Sequence, residues 1–299
     1  MRTGEVNRNT SYNRVIGRML WRFNTLLICS MLAAMAADEK KLAIEDIHLA
    51  QSDDGIAIPA DTRFLPGEVV YFSCHVSGYA KTGEDAQSLL LSYRIEATDP
   101  KGVAILSAET GKIANELAPE DKRWRPKIRY SIPLPPLADS GRYQVQISVK
   151  DELAKTEAQA TVALVVEGRE VAPSETLVVR NFRFLRTEED KNPLQVAAYR
   201  PGDTLWARFD MTGYKTGDGN RYDIEYGLKV LRPTGETTYD QPRAAAEKNE
   251  GFYRQRYLPG TLSLTIPKDM RKGEYTIVLL LRDHIGTHTF EDRHKFTVE

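Results

Sequence analysis

Apolar and polar residues alternate along several short segments of this chain. In the segments 70–76, 143–149, 205–211 and 275–281, every second residue is apolar. Because successive side chains of a β-strand point to opposite faces of the sheet, this period of two predicts strands with one buried face. The segment 243–249 is compatible with a helix, but it is short and has no apolar face. The pattern therefore predicts an all-β protein.

Two segments of the chain, about 135 residues apart, have similar sequences. They read FLPGEVVYFSCHVSGYAKTG from Phe64 and YRPGDTLWARFDMTGYKTG from Tyr199. Collinear matches over more than 100 residues indicate a duplicated domain rather than a solenoid, whose repeats are shorter. Further matches keep the same order along each copy: Pro100-Lys101-Gly102 with Pro233-Thr234-Gly235, Ile132-Pro133 with Ile266-Pro267, Gly141-Arg142-Tyr143 with Gly273-Glu274-Tyr275, and Asp151 with Asp283.

Pro-Gly and Asp-Gly pairs recur between the alternating segments, which is typical of the turns of a β-sandwich. We therefore expect two tandem immunoglobulin-like β-sandwich domains, at residues 41–168 and 176–299. The linker between them, residues 169–175, is short and contains Pro173. A linker of this length predicts a semi-rigid pair of domains.

One local motif supports the immunoglobulin-like interpretation. The segment from Asp139 to Tyr143 is similar to the tyrosine corner of these domains, in which a tyrosine opens a late strand and its hydroxyl bonds to the preceding loop. In antibody domains a cysteine follows two residues later and forms a disulfide with an early strand. Here Val145 has the late position and Cys74 the early one. We expect apolar packing in place of the disulfide, with Cys74 a buried, unreactive side chain.

The order of several turn and core residues resembles that of bacterial macroglobulin-type and related immunoglobulin-like sandwiches. The residues that carry this resemblance are Tyr199–Leu205, Arg232–Gly235, Gly251, Gly273-Glu274-Tyr275 and Phe296-Thr297-Val298. The chain has no Cys–Gln thioester motif and no bait region, in contrast to true macroglobulins. The resemblance implies a module of extracytoplasmic bacterial proteins, without protease trapping.

The first residues of the chain have the features of a secretory signal peptide. Three arginines, Arg14, Arg18 and Arg22, precede an apolar run from Leu26 to Met35, and Ala34-Met35-Ala36 fits a cleavage site after Ala36. We expect residues 1–36 to be removed; an uncleaved membrane anchor is the alternative, and the natural start can lie at Met19. A signal peptide predicts an extracytoplasmic protein, whether periplasmic, on the cell surface or secreted.

The charge of the chain excludes one class of partner. Removing residues 1–36 takes away five arginines and one glutamate, so the net charge falls from −1 to −5. A mildly acidic surface has no electrostatic footprint for nucleic acid or for anionic membranes. We therefore expect no nucleic-acid partner, and membrane contact only through the leader if it stays attached.

Candidate chemistry concentrates near the C-terminus, because the common catalytic motifs are missing from the sequence. His284, His288 and His294 lie close to several carboxylates and are the residue types that bind zinc. The alternative is a solvated hairpin end, in which the alternation with Phe296 points His294 towards the core. The first copy has Val162 in place of His294, so these histidines are not part of the duplicated design.

Calcium is a second metal to consider. Oxygen ligands are available at Asp218-Gly219-Asn220 with Asp223, and at Asp53-Asp54. The spacing does not match an EF-hand, and Asp-Gly is a common choice for a tight turn. We expect turns at both places and no cofactor.

Three aromatic residues are candidates for binding a partner or a sugar by stacking. Tyr71 and Trp206 have the same position in the two copies, with the parity opposite to the core residues, and Trp124 lies in a basic segment. The alternative for Tyr71 and Trp206 is that they cover the sheet beside a long loop or the neighbouring domain.

These observations predict an exported, non-catalytic protein that binds another protein or serves as a structural or adhesion module of the cell envelope. The first alternative is a carbohydrate-binding module that uses the exposed aromatics. The second is a metal-dependent enzyme, which needs the three C-terminal histidines to converge.

Overall fold

The computed structural model describes residues 41–83, 87–118, 120–121 and 123–299, and these described residues form one compact unit. The predicted signal peptide and its cleavage site lie outside the described residues. Apart from a short 3-10 turn at Asp218–Asn220, the regular structure of the described residues is all strand, and the all-β prediction is confirmed. In chain order the strands are β1 (Ala43–Ala50), β2 (Arg63–Phe64), β3 (Val69–Ser77), β4 (Gln87–Thr98), β5 (Glu109–Leu117), β6 (Lys127–Pro133), β7 (Gly141–Asp151), β8 (Glu157–Val166), β9 (Val178–Leu185), β10 (Ala198–Tyr199), β11 (Thr204–Thr212), β12 (Tyr222–Leu231), β13 (Thr237–Asn249), β14 (Tyr257–Thr265), β15 (Gly273–Asp283) and β16 (His288–Val298).

The strands build two sandwiches, each from a small and a large sheet. In the first sandwich the small sheet has the order β1-β3-β6 and the large sheet β2-β8-β7-β4-β5. In the second sandwich the small sheet is β14-β11-β9 and the large sheet β10-β16-β15-β12-β13. Neighbouring strands are antiparallel except β2 with β8 and β10 with β16. The sandwich prediction is confirmed, and the division into domains at residues 41–168 and 176–299 stays a prediction.

The alternation found in the sequence separates core from surface as expected. On β3, Val70, Phe72, Cys74 and Val76 are at most 1% exposed, and on β11 the alternating residues from Leu205 to Met211 are equally buried. Each set belongs to the core of its own sandwich. Burial also raises the pKa of the Cys74 thiol to about 12, because the thiolate would lie among apolar side chains.

Both copies contain a tyrosine corner. The hydroxyl of Tyr143 donates to the carbonyl of Asp139 at 3.1 Å, and that of Tyr275 donates to the carbonyl of Arg271 at 2.8 Å. The sequence predicted this motif in the first copy, and the structure places it in the second copy as well. These bonds fix the loop that enters β7 or β15 against the strand that follows it.

In each copy, a buried aspartate contacts the loop at the end of the repeated segment. Asp151 and Asp283 are fully buried at the ends of β7 and β15. The Asp151 carboxylate accepts the backbone N–H of Ala80 at 2.6 Å, and the Asp283 carboxylate accepts that of Lys215 at 2.8 Å. Each carboxylate also accepts two N–H groups from its own following hairpin turn. The aspartate thus joins the Gly-Tyr loop after the early strand to the late hairpin.

One detail of the match between the two copies was wrong. The match of Ile132-Pro133 with Ile266-Pro267 is displaced by two residues, since Leu134 N–H donates to Glu68 and Ile266 N–H donates to Asp203 at the same place in each copy. The sequence Ile-Pro-Leu-Pro offers two similar dipeptides, and the conformation of the following loop selects the second. The segment 243–249, which has no apolar face for a helix, lies in β13, in agreement with the all-β prediction.

Among the described residues, no helix has both the length and the apolarity required to span a membrane.

Candidate functional site

The three C-terminal histidines lie in different surroundings. His284 Nε2 is 3.5 Å from the carboxylate of Glu225, and His288 is paired in register with Asp283 across the hairpin. His294 lies further along β16. In the part of the chain that the structure describes, no group of three or more His, Cys, Asp or Glu residues is close enough to hold a metal ion. The structure therefore does not bring together the ligands that the metal-enzyme hypothesis requires.

His294 takes part in packing between the two sheets of the second sandwich. Its ring lies parallel to that of Phe182 on β9, with 3.4 Å between the ring centres. Its Nε2 atom is 2.9 Å from an Asp292 carboxylate oxygen, without the alignment of a hydrogen bond. The inward parity that the sequence suggested for His294 agrees with this position.

The candidate calcium ligands have protein partners. Asp218–Asn220 forms the 3-10 turn, and the Asn220 amide donates to the carbonyl of Phe252 at 2.7 Å. Asp223 lies 3.1 Å from the Lys248 ammonium group. Asp53 and Asp54 form ion pairs across the small sheet, with Arg129 and Lys127 as the cations. The turn interpretation describes both places.

The candidate aromatic residues do not share one surface. Tyr71 and Trp206 are half-buried on the outer faces of the two small sheets, each on the central strand of its own sandwich. Near Trp206, the Arg208 guanidinium donates to the carbonyls of Glu188 and Asp190, so the loop after β9 lies on this face. Trp124 is 37% exposed, and its carbonyl accepts a hydrogen bond from Tyr79. Their roles in binding stay predictions.

A serine–histidine pair without a signal in the sequence lies on the small sheet of the first sandwich. Ser73 Oγ lies 3.0 Å from His48 Nε2, and His48 Nδ1 lies 3.0 Å from the carbonyl of Asp46. Because a carbonyl only accepts, Nδ1 carries the proton and the serine hydroxyl donates to Nε2. This is the hydrogen-bond order of an activated serine. However, β3 is paired on both sides, so the ladder uses the backbone N–H groups that an oxyanion hole would need.

One arginine connects the two sandwiches. Arg256, just before β14, donates to Asp99 Oδ2 at 2.7 Å and to Asp139 Oδ2 at 2.6 Å. The Asp99 side chain is only 1% exposed. The hydroxyl of Tyr253 also donates to Asp99, at 2.9 Å. We call these four residues, together with Leu137, the junction.

Apolar contacts cross the junction in both directions. Tyr253 of the second sandwich packs against the core of the first, and Leu137 of the first packs against the core of the second. Burial, followed by the neighbouring Asp99 carboxylate, strongly raises the pKa of the Tyr253 phenol. The phenol therefore stays protonated and donates to Asp99.

The predicted linker also contacts the second sandwich. The Arg169 guanidinium donates to Asp210 Oδ2 on β11 at 2.5 Å and lies over the ring of Tyr257, 5.6 Å from its centre. The Asn181 amide donates to the same carboxylate oxygen at 2.8 Å. These contacts cover Asp210, whose side chain is 1% exposed.

A shallow groove of about 490 Å³ lies on the outer face of the large sheet of the first sandwich. It spans four neighbouring strands in the order β5-β4-β7-β8. We call it the sheet groove; its outward-facing residues are Ser92, Arg94, Thr110, Lys112, Ser148, Lys150, Glu157 and Gln159. Their alternation is visible in the sequence, but the sequence does not show which strands are neighbours.

No protein-family model and no curated protein matches the chain. Among solved structures, the chain is similar to the C-terminal domain of the Streptococcus pyogenes antigen I/II-family protein AspA, with 10% identity, a TM-score of 0.28, and coverage of 88% of this chain and 100% of that one. It is also similar to the Pseudomonas fluorescens alkylpurine DNA glycosylase AlkC, with 11% identity, a TM-score of 0.27, and coverage of 41% and 30%. A family 123 glycoside hydrolase from Clostridium perfringens gives 11% identity, a TM-score of 0.27, and coverage of 42% and 27%.

The chain thus spans less than a third of the glycosylase and glycoside hydrolase chains. Scores this low support no functional argument.

Proposed function

We propose that this protein is an exported, non-catalytic binding module whose two sandwiches, held in a fixed relation, present a sheet face to a protein or polymer of the cell envelope. The predicted leader supports the extracytoplasmic location. The junction is the observation that supports the binding role.

The junction supports this role because it fixes surfaces rather than building a reaction centre. Arg256 bonds carboxylates from two separate loops of the first sandwich, and Tyr253 and Leu137 each pack against the core of the other sandwich. A guanidinium that bridges two carboxylates is strongly oriented. Such a contact holds the outer sheet faces of the two sandwiches at a constant spacing, which favours recognition of an extended partner.

The test is co-sedimentation of the exported protein with purified envelope fragments. We expect saturable sedimentation of the wild-type protein and weaker sedimentation of Arg256→Ala, because loss of the junction frees the two sandwiches to reorient. Arg232→Ala, which removes an exposed arginine of the second sandwich, is the matched control and should sediment like the wild type. Failure of the wild-type protein to sediment with any envelope fraction would contradict the proposal.

Carbohydrate binding is the second candidate, and the sheet groove favours it over the aromatic residues. Tyr71 and Trp206 are on different sandwiches and half-buried, so they offer no continuous stacking surface. The sheet groove, by contrast, presents hydroxyl, amide, cationic and carboxylate side chains on one open face.

A further inference from the structure

We propose that β5 of the first sandwich is a self-association edge. It pairs antiparallel with β5 of a second copy of this chain, so that the large sheets of the two first sandwiches become one continuous sheet. Because β5 is not part of the junction, this association goes beyond the proposed function. Its support is the open edge of β5, the position of two charges on it, and the contrast with the same edge of the second sandwich.

The strand β5 is an outermost strand of its sheet and is paired on one side only, with β4. All nine of its residues, from Glu109 to Leu117, pair with β4 in one continuous register without a bulge. In the part of the chain that the structure describes, no backbone hydrogen bond reaches its other side. An edge with unpaired N–H and C=O groups is a template for pairing with another strand.

The core beneath β5 is incompletely covered. Ile113 points inwards and packs against the core of the first sandwich, but it is only partly buried. A strand added beyond β5 would extend over this side chain and remove more of its apolar surface from water. Strand addition at this edge thus combines backbone hydrogen bonds with apolar burial.

Two opposite charges lie on the outer face of β5. Lys112 and Glu116 are exposed, have the parity opposite to Ile113, and each lies opposite a serine of β4. Among the residues that the structure describes, neither side chain forms an ion pair, whereas Arg94 on the same face pairs with Glu96. Four residues of an extended strand span about 13 Å, so Lys112 and Glu116 cannot pair with each other within one strand. Both charges are therefore available to a second chain.

Symmetry limits how two β5 strands can pair. Directly opposite residues of an antiparallel ladder have the same hydrogen-bonding type, so a two-fold axis passes through a residue and not between two. An axis at Ala114 places Lys112 of each copy opposite Glu116 of the other, which gives two opposite-charge pairs. An axis at Lys112 or at Glu116 would place like charges opposite each other, which is destabilising. The charge pattern of β5 is thus complementary to itself, which favours a second copy over an unrelated strand.

The same edge of the second sandwich is protected. It is formed by β13, whose pairing with β12 is interrupted by a bulge opposite Gly227, and Pro242 in this bulge has no N–H to donate. Bulges and prolines are the usual means of preventing edge-to-edge pairing.

The charges on β13 are also satisfied within the chain. Lys248 lies 3.1 Å from Asp223, and Asp240 lies 3.9 Å from Lys229. The two copies thus have the same edge position with different chemistry. The bulge and the internal ion pairs close the edge in the second sandwich, and the first sandwich lacks both at β5.

The experiment is sedimentation velocity of the exported protein, at concentrations up to about 0.1 mM and at about 0.1 M salt. We expect a concentration-dependent dimer. The variants Lys112→Glu and Glu116→Lys each place like charges opposite each other twice, so each should weaken the dimer at least about tenfold. The control is Thr238→Glu, an exposed change on β13, which should stay within about twofold of the wild type. Thermal unfolding of all three variants should match the wild type.

An equal mixture of the two charge variants tests the register. One variant then has only carboxylates at the two positions and the other only ammonium groups, so the mixed dimer regains both opposite-charge pairs. We expect the mixture to dimerise like the wild type although each variant alone does not. The inference is overturned if the wild type stays monomeric, if the charge variants dimerise like the wild type, if the control loses as much as they do, or if the mixture stays monomeric. Assemblies that grow beyond a dimer would also overturn it, because a two-fold contact closes on itself.

Discussion

Equivalent ends of the two sandwiches have the same backbone and opposite charges. In the first sandwich, Asp99 N–H donates to Val103 in a tight turn, and in the second Arg232 N–H donates to Glu236 in the same turn, both at 2.8 Å. Beside each turn lies a tyrosine corner, whose acceptor is the carbonyl of Asp139 or of Arg271. Two aspartates of one copy are thus two arginines in the other.

At one further position, the first sandwich has an apolar residue where the second has a charged one. Leu137 of the first sandwich packs against the second core, and the tyrosine-corner register places Asp269 at the equivalent position. One end is therefore apolar and acidic and receives Arg256. The other is charged and exposed to solvent. Backbone hydrogen bonds and buried core positions are therefore the same in the two copies. The side chains that contact the other sandwich differ between them.

The largest expected effect comes from features that the two copies share. Asp151→Ala and Asp283→Ala each remove a buried carboxylate that accepts three backbone N–H groups, so each should lower the free energy of unfolding by about 3 kcal/mol or more. Urea unfolding of the two variants measures this. Similar losses in both copies are expected, and a loss in only one would show that the duplication did not preserve this support.

The second largest effect on stability should differ between the junction and the equivalent end of the second sandwich. Arg256→Ala leaves the buried Asp99 carboxylate without its cation and should cost about 2 kcal/mol, less than a fully buried pair because Arg256 is 27% exposed. Arg232→Ala breaks an exposed pair with Glu236 and should change the free energy of unfolding by less than about 0.5 kcal/mol. The measurement is urea unfolding of both variants. Equal costs would mean that the charge inversion has no part in docking the sandwiches.

The smallest effect concerns Cys74, whose structural counterpart on β11 is Phe209. Because burial raises the pKa of the thiol to about 12, the folded protein keeps the proton at pH 8 and should not react with iodoacetamide, whereas the urea-unfolded protein should react fully. The stability that this raised pKa contributes is present below the unfolded pKa of about 8.5 and is lost as the pH rises towards 12. Mass spectrometry after labelling detects the difference. Modification of the folded protein at pH 8 would contradict the burial of this thiol.

The sequence predicted the parts of the structure that have a local or repeated signal. Alternation identified the buried residues of β3 and β11, and the Gly-Arg-Tyr motif identified the tyrosine corner. The role of Asp151 and Asp283 in joining two loops could not be predicted, because one N–H donor to each, Ala80 or Lys215, lies about 70 residues away along the chain. Only their retention in both copies indicated that they matter.

The candidate site was predicted less well, for a physical reason. Arg256 and Asp99 are 157 positions apart, and no periodic pattern indicates which charges meet across two sandwiches. The sheet groove depends on the strand order β5-β4-β7-β8, which alternation does not determine. The histidines near the C-terminus are close in sequence, but the alternation of a strand and the turn of a hairpin place them in different surroundings.

The junction has a consequence for how the protein unfolds. Each sandwich has its own core, so two independent transitions would be the simplest expectation. Unfolding of the second sandwich, however, withdraws Arg256 and Tyr253 and leaves the Asp99 carboxylate of the first without either partner. The first sandwich is then destabilised at the moment the second is lost. The two copies should therefore melt together, and Arg256→Ala should divide the single calorimetric transition into two.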